Sequence, residues 1–413
     1  MKNKKIKVCM MARVTTAHSR GGMERHTQIV CEELAKLGVD IHLIAPSYDG
    51  KEHDIVENGV NIHYVDTKPP DSRFMWNPIW SHKAYKKFKE LDKKIRFDIF
   101  HSQASGGIPF LIHDPFRKRR LKKVITLHGT IIDSFRSHLF EFIYEKSLKS
   151  MLKLLFYTFF EGAFQIILFF LYRRSDIIIA TSRLQFKNIK KVYIVKEKKV
   201  KIIENGINTS LFSPKNKDEK IEKLLRKNPK EKILFWVGRM DKQKGPQIGI
   251  MGMKKIIEKI PETKLYIMGN KDGCYKELVN LTKKLSLEKN VIFLDSVKYE
   301  ELPKYINACD IYIHPTLRDE AAPLVLPQAI ACGKPVVASR IGGNLEVIID
   351  GKNGLLFETG NTDDFSEKVV KLLSNDKLRE RMGKEARKIA LKKFSSERMG
   401  KMLLDVYKKL LNI

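Results

Sequence analysis

The sequence predicts an α/β protein made of two doubly wound parallel-sheet domains, and three observations carry that expectation. The chain has 413 residues, a length that favours two sizeable domains over one. Its composition is 43% apolar and 31% charged, which can fill cores and argues against wholesale disorder. Short apolar runs alternate with helical patterns from end to end, the signature of parallel βαβ units.

The expected strands fall into two sets. The first is Ile6 to Ala12, Val39 to Ala45, Ile62 to Val65, Phe97 to His101, Val124 to Leu127 and Asp176 to Thr181. The second is Ile233 to Val237, Lys264 to Met268, Val291 to Leu294, Asp310 to His314 and Pro335 to Ala338. Between them Ser213 to Lys232 is poor in apolar residues and has a proline near each end, so the domain boundary is placed near it. The last helical stretch, Ser395 to Asn412, repeats apolar residues at Met399, Met402, Leu403, Val406, Leu410 and Leu411 and needs a partner surface.

Charge is the unusual figure. Seventy-eight Lys+Arg against 48 Asp+Glu give +30, which points to anionic partners: nucleic acid, a membrane surface or phosphorylated small molecules. The excess is densest inside the chain, where residues 73 to 200 hold 27 basic and 10 acidic groups. Five cysteines without a C-x-x-C pair fit neither a disulfide framework nor a zinc site. A reducing, cytoplasmic compartment is therefore expected. The N-terminal MKNKKIKVCMMA lacks the cleavage pattern of a signal peptide and reads as a first buried strand. Leu154 to Tyr172 is nearly all apolar, close to the roughly 20 residues that cross a bilayer. Lys149, Lys153, Arg173 and Arg174 flank both ends without bias and Glu161 lies within, so a buried or interfacial helix ranks above a spanning one.

Ligands of doubly wound sheets sit at the loops after the carboxyl ends of strands. The first such loop, His18-Ser-Arg-Gly-Gly-Met-Glu-Arg-His26, has Gly21 and Gly22 before an amphipathic helix. That pairing serves a tight turn or an anion at bare backbone N–H groups. It is not the G-x-G-x-x-G fingerprint, which counts against a nicotinamide enzyme. His128 and Gly129 end the Val124 strand. Gly238-Arg239 to Lys244-Gly245 follows the Ile233 strand, where arginine and lysine suit a diphosphate clamp or a solvated basic turn. The stretch from Asp310 to Val337 reads strand, polar loop, short helix, glycine stop, strand. Pro323 suits the helix start, with the N–H groups of Leu324 and Val325 free for a phosphate, and Pro327 is tolerable only in the first turn.

Taken together these segments resemble the retaining glycosyltransferase family 4. The Glu320-to-328 stretch is similar to its E-x7-E region, and GGMERH, ITLHG, DIIIATS, IIENGIN, VGRMDKQKG, VIFLDSV and GGNLEVIIDGKNGLLF follow in the family's order over nearly the whole chain. The resemblance implies the GT-B fold, two Rossmann-like domains facing a cleft: an acceptor-binding domain over 1–208, joined by the returning 395–413 helix, and a nucleotide-sugar domain over 209–394. It implies that Arg239 and Lys244 hold the donor diphosphate, helped by Gly22 and the N–H groups of Leu324 and Val325. Glu320 would bond a sugar hydroxyl, His128 would lie beside that sugar, and position 328 would meet the ribose. No metal and no cofactor are implied; the partners are a nucleotide-sugar donor and a glycan or lipid-linked acceptor.

Two positions depart from the pattern. Gln328 replaces the second carboxylate, losing a charge-assisted bond, and Ala321 replaces the usual glycine. The basic, apolar 116–172 region adds the expectation of an enzyme peripheral on the anionic inner face of the cell membrane. Two other readings are a sugar-nucleotide epimerase of the same general fold and a non-catalytic basic protein binding membrane or nucleic acid. The E-x7-Q loop with ITLHG argues against the first. The lack of aromatic-basic motifs such as the RNP pattern argues against nucleic acid.

Overall fold

A computed structural model describes residues 5–18, 21–67, 77–113, 121–145 and 147–413, with some side chains of the helices between 111 and 171 left out. Of the positions singled out above, Ser19, Arg20 and residues 116–120 of the basic run lie outside the described residues. So do the side chains of Lys149, Lys153, Glu161 and Gln165. The chain divides into two compact units: Met1–His138 with Lys146–Gly206 and Ser396–Ile413, and Leu139–Glu145 with Ile207–Ser395.

The first unit holds β1 (Lys7–Met11), β2 (Asp40–Pro46), β3 (His53–Glu57), β4 (Val60–Val65), β5 (Ile99–Gln103), β6 (Lys122–Leu127), β7 (Ile177–Ala180) and β8 (Val200–Ile202). They form one sheet in the order β3-β4-β2-β1-β5-β6-β7-β8, parallel throughout except for antiparallel β3 on β4. Side chains alternate across it. Val8 and Met10 join one core layer, Cys9 and Met11 the other, as a sheet covered on both faces requires.

The second unit holds β9 (Lys232–Val237), β10 (Thr263–Met268), β11 (Val291–Leu294), β12 (Ile311–His314), β13 (Val336–Ser339) and β14 (Gly354–Phe357). Their order is β11-β10-β9-β12-β13-β14, all parallel. In this sheet Ile233 and Phe235 face one core layer and Leu234 and Trp236 the other.

The polar Ser213 to Lys232 segment folds within the second unit. A short helix, Glu219–Leu225, starts on an Asp218 side chain that accepts from the N–H groups of Lys220 and Ile221, and its Leu225 is fully buried. The cap is worth about 1 kcal/mol, and Leu225, with Ile221 beside it, packs into the second unit's core. The two compact units part at Gly206 and Ile207.

The final helix, Ser396–Leu411, is part of the first unit. It lies against the first helix, Gly22–Lys36, at Gly400, where an added Cβ would stand 2.8 Å from that of Glu33. Ser396 Oγ donates to Glu33 Oε1 at 3.2 Å. Tyr407 is fully buried, its hydroxyl 2.5 Å from His101 Nδ1, while His101 Nε2 meets Thr126 Oγ1 at 2.8 Å. The apolar segment belongs to a 27-residue helix, Leu148–Arg174. Leu168 and Tyr172 are buried, whereas Leu148, Leu152, Leu155 and Phe170 are at least half exposed. Among the described residues no helix is long and apolar enough to cross a membrane.

Candidate active site

In the second sheet the chain runs from β9 outward to β10 on one side and resumes at β12 on the other. A crevice opens at such a reversal, beyond the carboxyl ends of the two central strands. The loops after β9 and β12 both enter it.

The β9 loop is held by its own residues. Met240 is buried, Asp241 caps a single turn over Lys242–Lys244 by accepting from Gln243 N at 2.9 Å, and Gly245 turns the backbone with φ +73°. An added Cβ on Gly245 would collide with the Pro315 carbonyl, so only glycine lets the β9 loop lie against the β12 loop. The contact is sealed where the Gln243 carbonyl accepts from Leu317 N at 2.8 Å. Thr316 Oγ1 stands 3.0 Å from that carbonyl and 3.1 Å from Glu320 Oε1.

This packing brings Lys244 Nζ to 2.7 Å from Glu320 Oε2, with the two side chains only 23% and 13% exposed. Burial works to raise the Glu320 carboxyl, but the Lys244 ammonium, with His314 and Arg318 behind it, outweighs burial and holds it at about 2. His314 ends β12 and is buried. Burial lowers its ring to about 4, so it is neutral at pH 7, and its Nε2 stands 3.7 Å from Glu320 Oε1. From behind, Gly343 N donates to the Glu320 carbonyl at 2.7 Å. A Cβ at Gly343 would meet the carbonyls of Glu320 and Ala321.

The other expected positions of this unit make different contacts. The Arg239 side chain is 72% exposed, 3.7 Å from Asp241 Oδ2. The helix after the β12 loop spans Val325–Ala331 with Leu324, the residue after Pro323, at its N-cap, and Pro327 falls in its first turn. Its leading N–H groups have no intrahelical acceptor. Gln328 is buried; its Nε2 donates to the Tyr299 hydroxyl at 3.4 Å, and its Oε1 has no hydrogen-bond partner among the described residues.

In the first unit Gly21 is the N-cap of the first helix and Gly22 its first residue. His128 follows β6, and its Nε2 is 2.9 Å from Gln103 Oε1. Burial lowers its ring to about 4. His26, one turn into the helix that Gly22 begins, meets His128 edge-on with ring centroids 4.8 Å apart. His314, Thr316, Gly343 and Gln103 escaped the sequence reading. The Gly-Gly of GGNLEV was the one visible signal among them.

Among the described residues no group of three or more His, Cys, Asp and Glu is placed to hold a metal ion. Two doubly wound parallel-sheet units in one chain are the architecture of the GT-B fold. Residues 20–211 match the model of Glycosyltransferase Family 4, and residues 216–389 that of Glycosyl transferases group 1. The chain belongs to glycosyltransferase family 4.

Among the relatives, spore coat protein SA of Bacillus subtilis is 32% identical over 222 residues, 51% of this chain, which spans 59% of that protein. An uncharacterised glycosyltransferase of Methanocaldococcus jannaschii is 26% identical over 403 residues, 95% of this chain and 96% of its own. Among solved structures, sucrose-phosphate synthase of Thermosynechococcus elongatus is 19% identical with a TM-score of 0.81, covering 99% of this chain and 100% of its own. Anabaena HepE in complex with UDP-glucose is 17% identical with a TM-score of 0.73, covering 98% of this chain and 100% of its own. Both show the shared fold.

Proposed function

We propose that this glycosyltransferase moves a sugar, with retention, from a nucleoside diphosphate to a hydroxyl of an acceptor. In this reading residues 209–394 take the donor, and residues 1–208 with 395–413 take the acceptor. The observation that carries it is the Lys244–Glu320 pair at the carboxyl ends of β9 and β12. Transfer builds positive charge on the sugar and negative charge on the departing diphosphate. Arg239 and Lys244, with N–H groups at Gly22, Leu324 and Val325, oppose the second charge, which lowers the barrier without a metal. Glu320 accepts from a sugar hydroxyl, and His128 lies beside the sugar. Neither acts as the acid and base pair of a hydrolase; the departing phosphate oxygen takes the acceptor proton on the same face. HepE, solved with UDP-glucose, supports a nucleotide sugar as the donor class.

Thermal shift against UDP, GDP, ADP and their sugars, followed by transfer from radiolabelled donors with and without lipid extract, tests the reading. One nucleotide raises the melting temperature and its sugar enters an acceptor. An isomerised sugar without acceptor would establish the epimerase instead.

Gln328 holds an unpaired buried oxygen where the resemblance places the ribose. A carboxylate there accepts more strongly, so Gln328→Glu lowers the donor KM about three- to ten-fold, read in initial-rate kinetics; an unchanged KM removes the ribose assignment.

The acceptor is lipid-linked or membrane-borne, and the enzyme sits on the inner face of the cell membrane. Support comes from the exposed Leu148, Leu152, Leu155 and Phe170, which share one helix face, with Arg173 and Arg174 exposed at its end. Vesicles containing anionic lipid bind the protein at low salt and release it as salt rises. Failure to bind them at low salt removes the membrane from the reading.

A further inference from the structure

We propose that Gln103 is a positioning residue that sets which nitrogen of His128 bears the proton, so that the ring meets a bound sugar with Nδ1 as a hydrogen-bond acceptor. Gln103, buried at the end of β5, places its Nε2 at 3.2 Å from Met10 Sδ and its Oε1 at 2.9 Å from His128 Nε2. An amide can be turned end for end, but a thioether has no proton to give. The NH₂ therefore faces sulfur and the carbonyl faces the histidine. A carbonyl oxygen only accepts, so His128 Nε2 must donate.

The ring is neutral, since burial keeps it from taking a second proton at pH 7. A neutral imidazole protonated at Nε2 presents a lone pair at Nδ1. The rings nearest to it, His26 on the first helix and His101 on β5, are themselves held neutral by burial. The consequence is selectivity for a sugar that has a free hydroxyl to donate at that point; one lacking it, or carrying an acceptor there, leaves the nitrogen unsatisfied. This half of the proposal rests on His128 lying beside the donor sugar.

The test is ¹⁵N-histidine NMR on the full chain, with the His128 signals identified by their loss in His128→Gln. In the free protein at pH 7 His128 is expected as the pure Nε2–H tautomer. Gln103→Leu, which keeps the volume and removes the acceptor, should yield a mixture of both tautomers. Gln103→Glu should move the His128 titration to higher pH. An Nδ1–H tautomer in the wild type, or a pure Nε2–H tautomer in Gln103→Leu, overturns the proposal. UDP-glucose, GDP-mannose and ADP-glucose are then added singly. A shift at Nδ1 with the sugar nucleotide that stabilises the protein supports the sugar contact. Stabilisation with His128 unmoved overturns that contact and the placing of His128 beside the donor, while the tautomer result stands separately.

Discussion

Lys244→Ala is expected to reduce transfer by about 10²–10³-fold, the usual loss when one preorganised charge is withdrawn from a departing anion. The same change acts on stability, and its sign follows from Glu320. An unperturbed glutamate titrates near 4.3, whereas the folded protein holds Glu320 at about 2. A lowered folded value contributes stability that is present above the unfolded value and lost as pH falls towards 2. Here that is on the order of 3 kcal/mol at neutral pH. Without Lys244 the carboxylate keeps its burial and loses its partner. Urea unfolding should therefore show a large gap between variant and wild type at pH 7, which begins to narrow above the ordinary glutamate value, where the variant's buried, unpartnered carboxyl takes up its proton, and goes on narrowing towards pH 2. A gap independent of pH would mean that the pair contributes nothing through ionisation, and unchanged transfer would remove Lys244 from the diphosphate.

Gly245→Ala is expected to do comparable damage through the backbone. Its φ of +73° costs a residue with a Cβ about 1–2 kcal/mol. The added carbon also falls on the Pro315 carbonyl. Relief requires the β9 loop to withdraw, which breaks the Gln243 bonds to Thr316 and Leu317 and separates Lys244 from Glu320. A stability loss of about 2–4 kcal/mol and at least a hundredfold fall in transfer should appear together in denaturation and in initial rates. A variant as stable and active as the wild type would show that the loops need no such approach.

Each expected strand has a counterpart, because strands buried on both faces leave uninterrupted apolar runs. The three that escaped are those with weak runs. In β3, His-Asp-Ile-Val-Glu, every residue after the first is exposed, as an antiparallel edge permits. β8 has three residues. β14, Gly-Leu-Leu-Phe, lies inside the GGNLEVIIDGKNGLLF motif and has only three apolar side chains in a row. The site was legible to the extent that chemistry attaches to a strand end: Lys244 and Glu320 each lie just past one. Their meeting across 76 positions depends on Gly245 and on the Gln243 carbonyl, which are facts of the backbone. Gln103 stayed hidden because a glutamine at the end of an apolar strand looks like an ordinary polar terminus. Its partner sulfur is 93 positions away.

The returning final helix also sets an order of events during synthesis. A ribosome delivers the chain from the N-terminus, and domains generally fold as they emerge. Here the unit begun first is completed last. Until residues 396–413 emerge, the first helix lacks the surface that covers Glu33, and His101 lacks the Tyr407 hydroxyl. The other unit, Leu139–Glu145 with Ile207–Ser395, includes none of these residues. A chain cut just short of residue 396 would therefore hold a finished second unit and an unfinished first one. Chaperones would be expected to find their exposed apolar surface near the oldest residues of the chain and not the newest.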